Sequence, residues 1–374
     1  MTKELYAATE ITRRWFARSV LASVTLPLVA GSLSGCGAIA AGPFKAGSGI
    51  GGRDAALLLP LTGSAAALGQ NMAHAASLVT QGSPAGAAPK IYDTADTAVG
   101  AAAAAQQALA AGAKLLLGPL KSDQTPAVVA VAGKVPVISF SNDDTLGAQG
   151  AFVMGITPAQ SVSTMFSYAK AQNLTRIAVV ARAGPLGEAS VQAARSIAAA
   201  GGIMLTATLL RDPAAAGLAE ALKSASGGTL PQAVYLPDGG ATLTKFAAAL
   251  QGNGMQILGS VQWGVDDVAG NGDLAGAWFA APPPDLFLPF ADRFQAAFGE
   301  QPGTVAALGY DAALLAVGLG EAGALSRKGI TRSAGFTGVL GAFRFLPTGR
   351  CQRDLTVLGI ENGQAVALGE VAGT

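Results

Sequence analysis

The sequence predicts an α/β protein with two lobes, each a mainly parallel sheet with helices on both faces, and three observations carry that expectation. From Ala56 onward, short continuous apolar runs alternate with alanine-rich stretches, the pattern of strands buried on both faces and linked by helical crossovers. The alternation begins afresh at Arg176, so there are two βαβ sets. The 374 residues, 51% of them hydrophobic, supply material for two cores of ordinary domain size.

Each element follows from local signals. ALLLPLTG (Ala56 to Gly63) reads as the first strand, with a helix starting near Ala66. Helical spacing puts Leu68, Met72, Ala75, Ala76 and Val79 on one stripe and His74 nearly opposite, as a solvated residue. KIYDT (Lys90 to Thr94) is the second strand, and Asp96 is placed to cap the helix that runs to Gly112. LLLGPL (Leu115 to Leu120) is the third; Thr125 followed by Pro126 then offers an N-cap and a proline at the first helical position. VPVISF (Val135 to Phe140) is the fourth. Thr157-Pro158-Ala159-Gln160 is a capping box that opens a helix.

The second set comprises RIAVVAR (Arg176 to Arg182), a helix from about Gly187 to Ala200, and strands at Ile203 to Leu210, Ala233 to Pro237 and Gln256 to Trp263. Phe290 to Gly299 and Val305 to Gly320 are helical by apolar spacing. From Phe336 to Leu368 the tail reads as antiparallel strands, with Asn362-Gly363 as a hairpin turn.

Residues 1–36 read as a signal peptide: Lys3, Arg13, Arg14 and Arg18 precede an uncharged run from Ser19 to Gly35 that contains Pro27 and ends in small residues. Leu33-Ser34-Gly35-Cys36 resembles the lipobox of bacterial lipoproteins, which makes Cys36 the expected lipidation site and places the protein on a membrane through its acyl chains. Arg13-Arg14 fits both an ordinary basic leader and a twin-arginine export signal, where Ala17 departs from the usual leucine. Residues 37–52 are a flexible Gly/Ala tether. Their G-x-G-x-x-G spacing (Gly47, Gly49, Gly52) precedes any strand, so it does not read as a dinucleotide fingerprint. A second copy, Gly318, Gly320 and Gly323, ends a helix.

Composition excludes several function classes. With 24 Lys+Arg against 23 Asp+Glu there is no basic excess to neutralise phosphates, so nucleic acid is not an expected partner. One histidine and two cysteines cannot assemble a zinc site, and neither a metal nor another cofactor is expected. Ser167-Tyr168-Ala169-Lys170 has an S-x-x-K spacing, but the K-T-G partner of serine penicillin-recognising enzymes is absent. The chain is expected not to be an enzyme.

Ligands of open parallel sheets bind beyond the carboxyl ends of the strands. The loops there carry Thr62, Gly63 and Ser64 after the first strand, Lys121 and Ser122 after the third, and Ser141 and Asn142 after the fourth. Hydroxyls and backbone amides in such loops suit a carboxylate or another polar group on a small ligand.

These segments resemble the type I periplasmic solute-binding proteins, the family that includes binders of leucine, isoleucine and valine. The resemblance spans about Ala56 to Leu368 and rests on LLLPLTGSAAALGQNMAHAASL, LLLGPLKSDQTPAV, VPVISFSND, GAWFAAPPP and FGEQPGTVAALGYDAALLA. Within the family, the first-strand proline, Gly-Pro-Leu after the third strand and GAFRFLPTG are most similar to the penicillin-binding protein activator lipoproteins.

The resemblance implies crossings between lobes near Gly155, Ala281 and Ser333, with residues 53–155 and 282–333 in one lobe and 156–281 and 334–374 in the other, and a hinge motion around a ligand. It places ligand contacts at Thr62, Ser122, Ser141 and Asp143 from the first lobe and at Leu186, Asp238 and Gln262 from the second. From their own positions, Trp263 at a strand end is a stacking candidate and Trp278, inside the apolar GAWFAAP run, reads as core. Amino-acid binders of the family add a tyrosine and an acid from the second lobe. Here Ala183-Gly184-Pro185-Leu186 lacks the tyrosine, and Gln262-Trp263 stands where the acid is expected. Two functions follow: a lipid-anchored periplasmic receptor for a small polar solute such as an amino acid, working with an ABC permease, or a regulatory lipoprotein that contacts a peptidoglycan synthase. Gly37 after Cys36 points by analogy to the outer rather than the inner membrane.

Overall fold

The computed structural model describes residues 54–81, 88–214, 216–265 and 268–373. The leader, Cys36 and the tether at 37–52 lie outside the described residues. In chain order the first set is β1 (Ala55–Leu59), α1 (Ala66–Val79), β2 (Lys90–Asp93), α2 (Ala98–Ala110), β3 (Leu115–Leu117), α3 (Thr125–Ala132), β4 (Val137–Ser139) and β5 (Phe152–Val153). The second set is α4 (Pro158–Ala171), β6 (Arg176–Ala181), α5 (Pro185–Gly201), β7 (Met204–Leu210), α6 (Leu218–Ala225), β8 (Ala233–Leu236), α7 (Gly240–Leu250), β9 (Gln256–Gly259) and β10 (Trp278–Ala281). Then come α8 (Pro284–Phe298), α9 (Thr304–Glu321), α10 (Arg327–Ile330), β11 (Phe336–Gly338), β12 (Gly341–Phe345), β13 (Cys351–Arg353), β14 (Leu355–Glu361) and β15 (Gln364–Val371).

The chain divides into two units. The N-terminal unit comprises 54–157 with Asp285–Asp354, and its sheet runs β2-β1-β3-β4-β5 with every pair parallel. Side chains alternate across β1: Ala55, Leu57 and Leu59 enter the core shared with α1, α8 and α9, while Ala56 and Leu58 enter the one shared with α2 and α3. On α2, Ala101, Ala104, Ala105 and Ala108 are buried at helical spacing, and their small size seats the helix close against the strands. The long apolar helix α9 is a core element, with two thirds of its residues buried.

The C-terminal unit comprises Pro158–Pro284 with Leu355–Gly373. Its sheet runs β15-β14-β10-β9-β8-β6-β7, parallel from β7 to β10 and antiparallel at β14 and β15. Asn362 and Gly363 close the β14–β15 hairpin with φ of 50° and 73°, the positive pair a type I′ turn requires.

The chain therefore crosses at Thr157/Pro158, Pro284/Asp285 and Asp354/Leu355. The third crossing lies some way beyond the Ser333 expectation. The antiparallel tail belongs to two sheets: β11-β12-β13 forms its own sheet, and Phe336, Phe343 and Phe345 are buried in the N-terminal core. Arg353 fixes this arrangement. Its guanidinium donates to the carbonyls of Met154 at 3.1 Å and Leu340 at 3.3 Å, lies over Phe343 at 4.6 Å, and reaches Asp311 on α9 at 3.8 Å.

Several local expectations are corrected. Leu68 is 47% exposed, so the buried stripe of α1 is Gly69, Met72, Ala75, Ala76 and Leu78. His74 is exposed, yet its ring stacks on Phe298 at 4.4 Å. Thr97, not Asp96, caps α2 by accepting from the Gly100 amide. Thr125 lies within the first turn of α3, and its hydroxyl bonds Ser139 instead. Ser167 and Lys170 sit exposed on α4, where the ammonium of Lys170 donates to the Gly201 carbonyl at 2.7 Å. Trp278 is only half-buried, edge-on to Tyr168 at 5.1 Å.

Candidate functional site

In the strand order of the N-terminal unit, connections leave β1 and β3 toward opposite faces of the sheet, and the carboxyl ends of such a pair are where open α/β sheets receive ligands. Two aspartates that the sequence reading gave no ligand role organise the loops there. Asp93, at the end of β2, accepts from the amides of Leu61 (2.9 Å), Thr62 (3.3 Å) and Ala95 (2.8 Å) and from the Thr62 hydroxyl (2.7 Å). Burial pushes its pKa up, but these four hydrogen bonds outweigh burial and hold it below the ordinary carboxylate value.

Asp96 is the second hub. Its carboxylate accepts from the Ser64 hydroxyl at 2.6 Å, the Ala65 amide at 3.2 Å, Lys121 Nζ at 2.7 Å and Gln124 Nε2 at 3.3 Å. One nearly buried side chain thus ties together the loops after β1, β2 and β3. Lys121 and Ser64 bring its pKa down to about 2. Its φ of 54° is left-handed, a conformation that Asp and Asn tolerate better than other side chains.

The loop after β4 is tied through Ser139 to the segment that follows β3. Ser139 bonds Thr125 at 2.8 Å and receives the Ser141 amide; Ser141 Oγ receives the Asp143 amide at 3.0 Å; Asp143 caps the short turn Asp144–Gln149 through the Thr145 amide. Asn142 is exposed, and Ser122 opens the half-buried turn Ser122–Gln124. The structure thus gathers Thr62, Gly63, Ser64, Ser122, Ser141, Asn142 and Asp143 onto the carboxyl-end loops of one sheet. It also shows what their side chains have left to offer. Thr62 and Ser64 have spent their protons on Asp93 and Asp96, so toward a ligand their oxygens are acceptors.

Asp96→Asn preserves the left-handed backbone while removing the charge. Hydrogen bonds to a charged group contribute about 1.5–3 kcal/mol each, so an unfolding midpoint clearly below wild type is expected in urea at neutral pH. The folded pKa lies below the ordinary 3.8, so the carboxylate's contribution is present above about pH 4 and is lost as pH falls toward 2. The difference between wild type and variant should shrink over that interval, and a pH-independent difference would contradict the assignment.

The C-terminal unit repeats the strand order as β7-β6-β8-β9-β10, so its corresponding rim is the carboxyl ends of β6 and β8. After β6, Gly184 and Pro185 lead into α5, and Leu186 is half-buried in the first turn. After β8, Asp238 is buried at 6% exposure and accepts from the Arg182 amide at 2.9 Å. Burial raises its pKa beyond what that amide and the Arg182 charge offset. After β9, Ser260 donates to the Pro237 carbonyl at 2.7 Å and receives the Gln262 amide at 3.1 Å, and the Gln262 side chain is half-buried.

Trp263 does not stand at a strand end. It lies in the 3₁₀ turn Val261–Val265, has no exposed surface, donates its indole N–H to the Leu236 carbonyl at 3.1 Å and stacks near Phe279 at 5.7 Å. The apolar run QILGSVQW concealed the turn at Ser260, and with it the reversal that sends the indole back across β9 into the core.

The sequence pattern of the family described as periplasmic binding protein matches residues 54–365. No curated protein matches the chain significantly. Among solved structures, a Rhodospirillum rubrum protein provisionally described as a branched-chain amino acid ABC transporter is similar at 23% identity and TM-score 0.72, over 84% of this chain and 99% of that one. A solute-binding protein of an ABC transporter from R. palustris, in complex with benzoate, is similar at 20% identity and TM-score 0.59, over 85% and 96%. The C-domain of LpoA from Haemophilus influenzae, a regulator of PBP1A, is similar at 18% identity and TM-score 0.67, over 84% and 99%. The five parallel strands that follow the same order in both sheets, the polar loops at their carboxyl ends and the match over 54–365 have one reading: the chain belongs to the periplasmic binding protein family.

Proposed function

We propose that this protein is a non-enzymatic, lipid-anchored receptor of the periplasm that binds a small polar solute and serves an ABC permease. The observation that carries this reading is the concentration of polar side chains on the carboxyl-end loops of both sheets, above strands that are otherwise apolar. The proposed contacts are Thr62, Gly63, Ser64, Ser122, Ser141, Asn142 and Asp143 in one unit and Leu186, Asp238 and Gln262 in the other. Cys36 carries the anchor, in the outer membrane by the sorting analogy of Gly37.

A thermal-shift screen of amino acids, amines and aromatic acids tests the receptor. A solute at 100 times its Kd stabilises the native state by about 2.7 kcal/mol, so a true ligand raises the melting temperature visibly. Mass spectrometry of the mature amino terminus tests the anchor.

The second reading is a regulatory lipoprotein that contacts a peptidoglycan synthase. The removal of Trp263 into the core, which leaves the C-terminal unit with fewer groups for a ligand, favours it. The two readings predict opposite outcomes: a solute that shifts melting supports the receptor, whereas a silent screen together with co-purification of a synthase domain supports the regulator.

A further inference from the structure

The charged side chains of the N-terminal unit are sorted along the direction of its strands. All five strands are parallel, so their carboxyl ends lie together and their amino ends lie together at the opposite end of the sheet. The carboxyl-end loops carry Asp93, Asp96, Asp123, Asp143 and Asp144 against Lys121. The amino end is basic. Lys90 begins β2, Lys114 immediately precedes β3 and Lys134 stands three residues ahead of β4, all three of them exposed.

The later segment of the unit brings three more basic groups to the same end. Arg327 donates to the carbonyl of Gly150, two residues ahead of β5, at 3.2 Å and lies over the Phe152 ring at 4.6 Å, with exposed Lys328 beside it in α10. Arg350 is exposed in the turn before β13. The adjacent Gly349 carbonyl receives the Val153 amide at 2.9 Å, and Arg353 further along reaches the Met154 carbonyl, so β13 follows the direction of β5 and Arg350 lies at its entry. Two acids accompany these groups: Asp54, ion-paired with Lys114 at 2.7 Å, and Glu321 at the end of α9. Between Glu321 and Asp354 the sequence has six basic side chains and no acidic one.

The place where the chain enters decides what this end faces. Asp54 immediately precedes β1, so the segment from Cys36 joins the unit at its basic end. Residues 37–53 include Lys45 and Arg53 and no acid, and a glycine-rich chain of that length has an r.m.s. reach of about 20–25 Å. A basic surface held that close to a bilayer adds electrostatic attraction to anionic lipid to the hold of the acyl chains.

We propose that the amino-end face of the N-terminal unit is a docking surface for anionic phospholipid headgroups, with Lys134, Lys328 and Arg350 as exposed contacts, and that it turns the carboxyl-end loops away from the membrane. The orientation rests on the anchored reading of Cys36, whereas the affinity of the surface for anionic lipid stands without it.

Sedimentation with vesicles of the mature chain carrying Cys36→Ser, which has no acyl group, tests the surface by itself. It is expected to bind vesicles of equal parts phosphatidylglycerol and phosphatidylethanolamine at low salt, to leave them at about 0.5 M sodium chloride, where the screening length falls to about 4 Å, and to ignore phosphatidylcholine. Lys134→Gln, Lys328→Gln and Arg350→Gln should each weaken the partition roughly fivefold at an unchanged melting temperature, and Lys223→Gln in the C-terminal unit should leave it as it is. No binding, or binding that resists salt and all three substitutions, overturns the proposal. So does binding that only Lys45→Gln with Arg53→Gln removes, because it then belongs to the tether. The anchored reading fails separately: an unmodified Cys36 in the mass spectrum removes the anchor and leaves the vesicle result standing, whereas an acylated Cys36 in a protein whose unacylated form ignores anionic vesicles keeps the anchor and removes the surface.

Discussion

Arg353→Ala is expected to be the most damaging single change in the N-terminal unit, at about 3–5 kcal/mol, because it leaves Asp311 as an uncompensated buried charge. Arg353 and Asp311 are each 1% exposed, and Asp311 also receives the amides of Val339 at 2.7 Å and Leu340 at 3.3 Å. The pair joins α9, the β11–β12 turn, β13 and the carbonyl of Met154 just after β5. Losing the guanidinium therefore releases contacts on three other pieces of chain, as well as its cover over Phe343. Urea denaturation should show the N-terminal unit unfolding first. Replacing both charges, as in Asp311→Leu with Arg353→Met, should recover part of the loss, since an apolar pair of similar volume carries no desolvation penalty. A single variant that melts with wild type would show that the pair contributes nothing.

The same pair sets a pH dependence opposite in sign to that of Asp96. Burial raises the Asp311 pKa to about 6, against the pull of Arg353 and the two amides. The native state then holds the proton more tightly than the unfolded chain does, so stability falls as pH rises from about 4 to about 6 and stays lower above that. Asp311→Asn should abolish this slope. Arg353→Ala should extend it to higher pH, because the attraction that lowers the pKa is gone.

Much of the fold was legible because parallel strands buried on both faces leave continuous apolar runs in the sequence. Leu115–Leu117 and Ala233–Leu236 are fully buried and were readable as strands. The Asn362-Gly363 hairpin was equally plain. The third crossing was not, since β11 to β13 and β14 to β15 have the same antiparallel character and only three-dimensional packing assigns the first three to the N-terminal core. The aromatic run Phe336, Phe343 and Phe345 was a signal for a separate core attachment, but nothing local says which core.

The candidate site was legible as loops and illegible as chemistry. Thr62, Ser64 and Ser141 are where strand-end reasoning put them, but whether a hydroxyl faces a ligand or a neighbouring loop depends on residues about thirty positions away. Asp93 and Asp96 lie 31 and 32 positions from Thr62 and Ser64. Their signal was an aspartate at each end of the Asp93-Thr94-Ala95-Asp96 turn, which invites hydrogen bonds to nearby backbone. Asp96 looked like a helix cap because it stands one residue before Thr97, and the choice between two adjacent cap formers is settled by backbone geometry.

Trp263→Ala separates the two roles this side chain was open to. As a ligand-stacking residue it would affect affinity and leave the unliganded protein's melting unchanged. As the structure has it, the indole fills the core among Phe279, Leu236 and the β9 backbone, so truncation should cost about 3–5 kcal/mol. In the C-terminal unit's own transition that is a fall on the order of 10 °C. Gly259 gives an independent check. A Cβ built on it would lie 2.3 Å from the Trp263 ring, closer than a packed core can relieve, so Gly259→Ala should destabilise the same unit through the opposite fault, crowding instead of a void. Because both changes act on one contact, their effects should not add: in Gly259→Ala with Trp263→Leu, the smaller side chain makes room for the methyl and the combined loss should fall short of the sum. Additive losses would mean that the indole and the glycine are not in contact. An unchanged melting temperature in Trp263→Ala would return the residue to the ligand site.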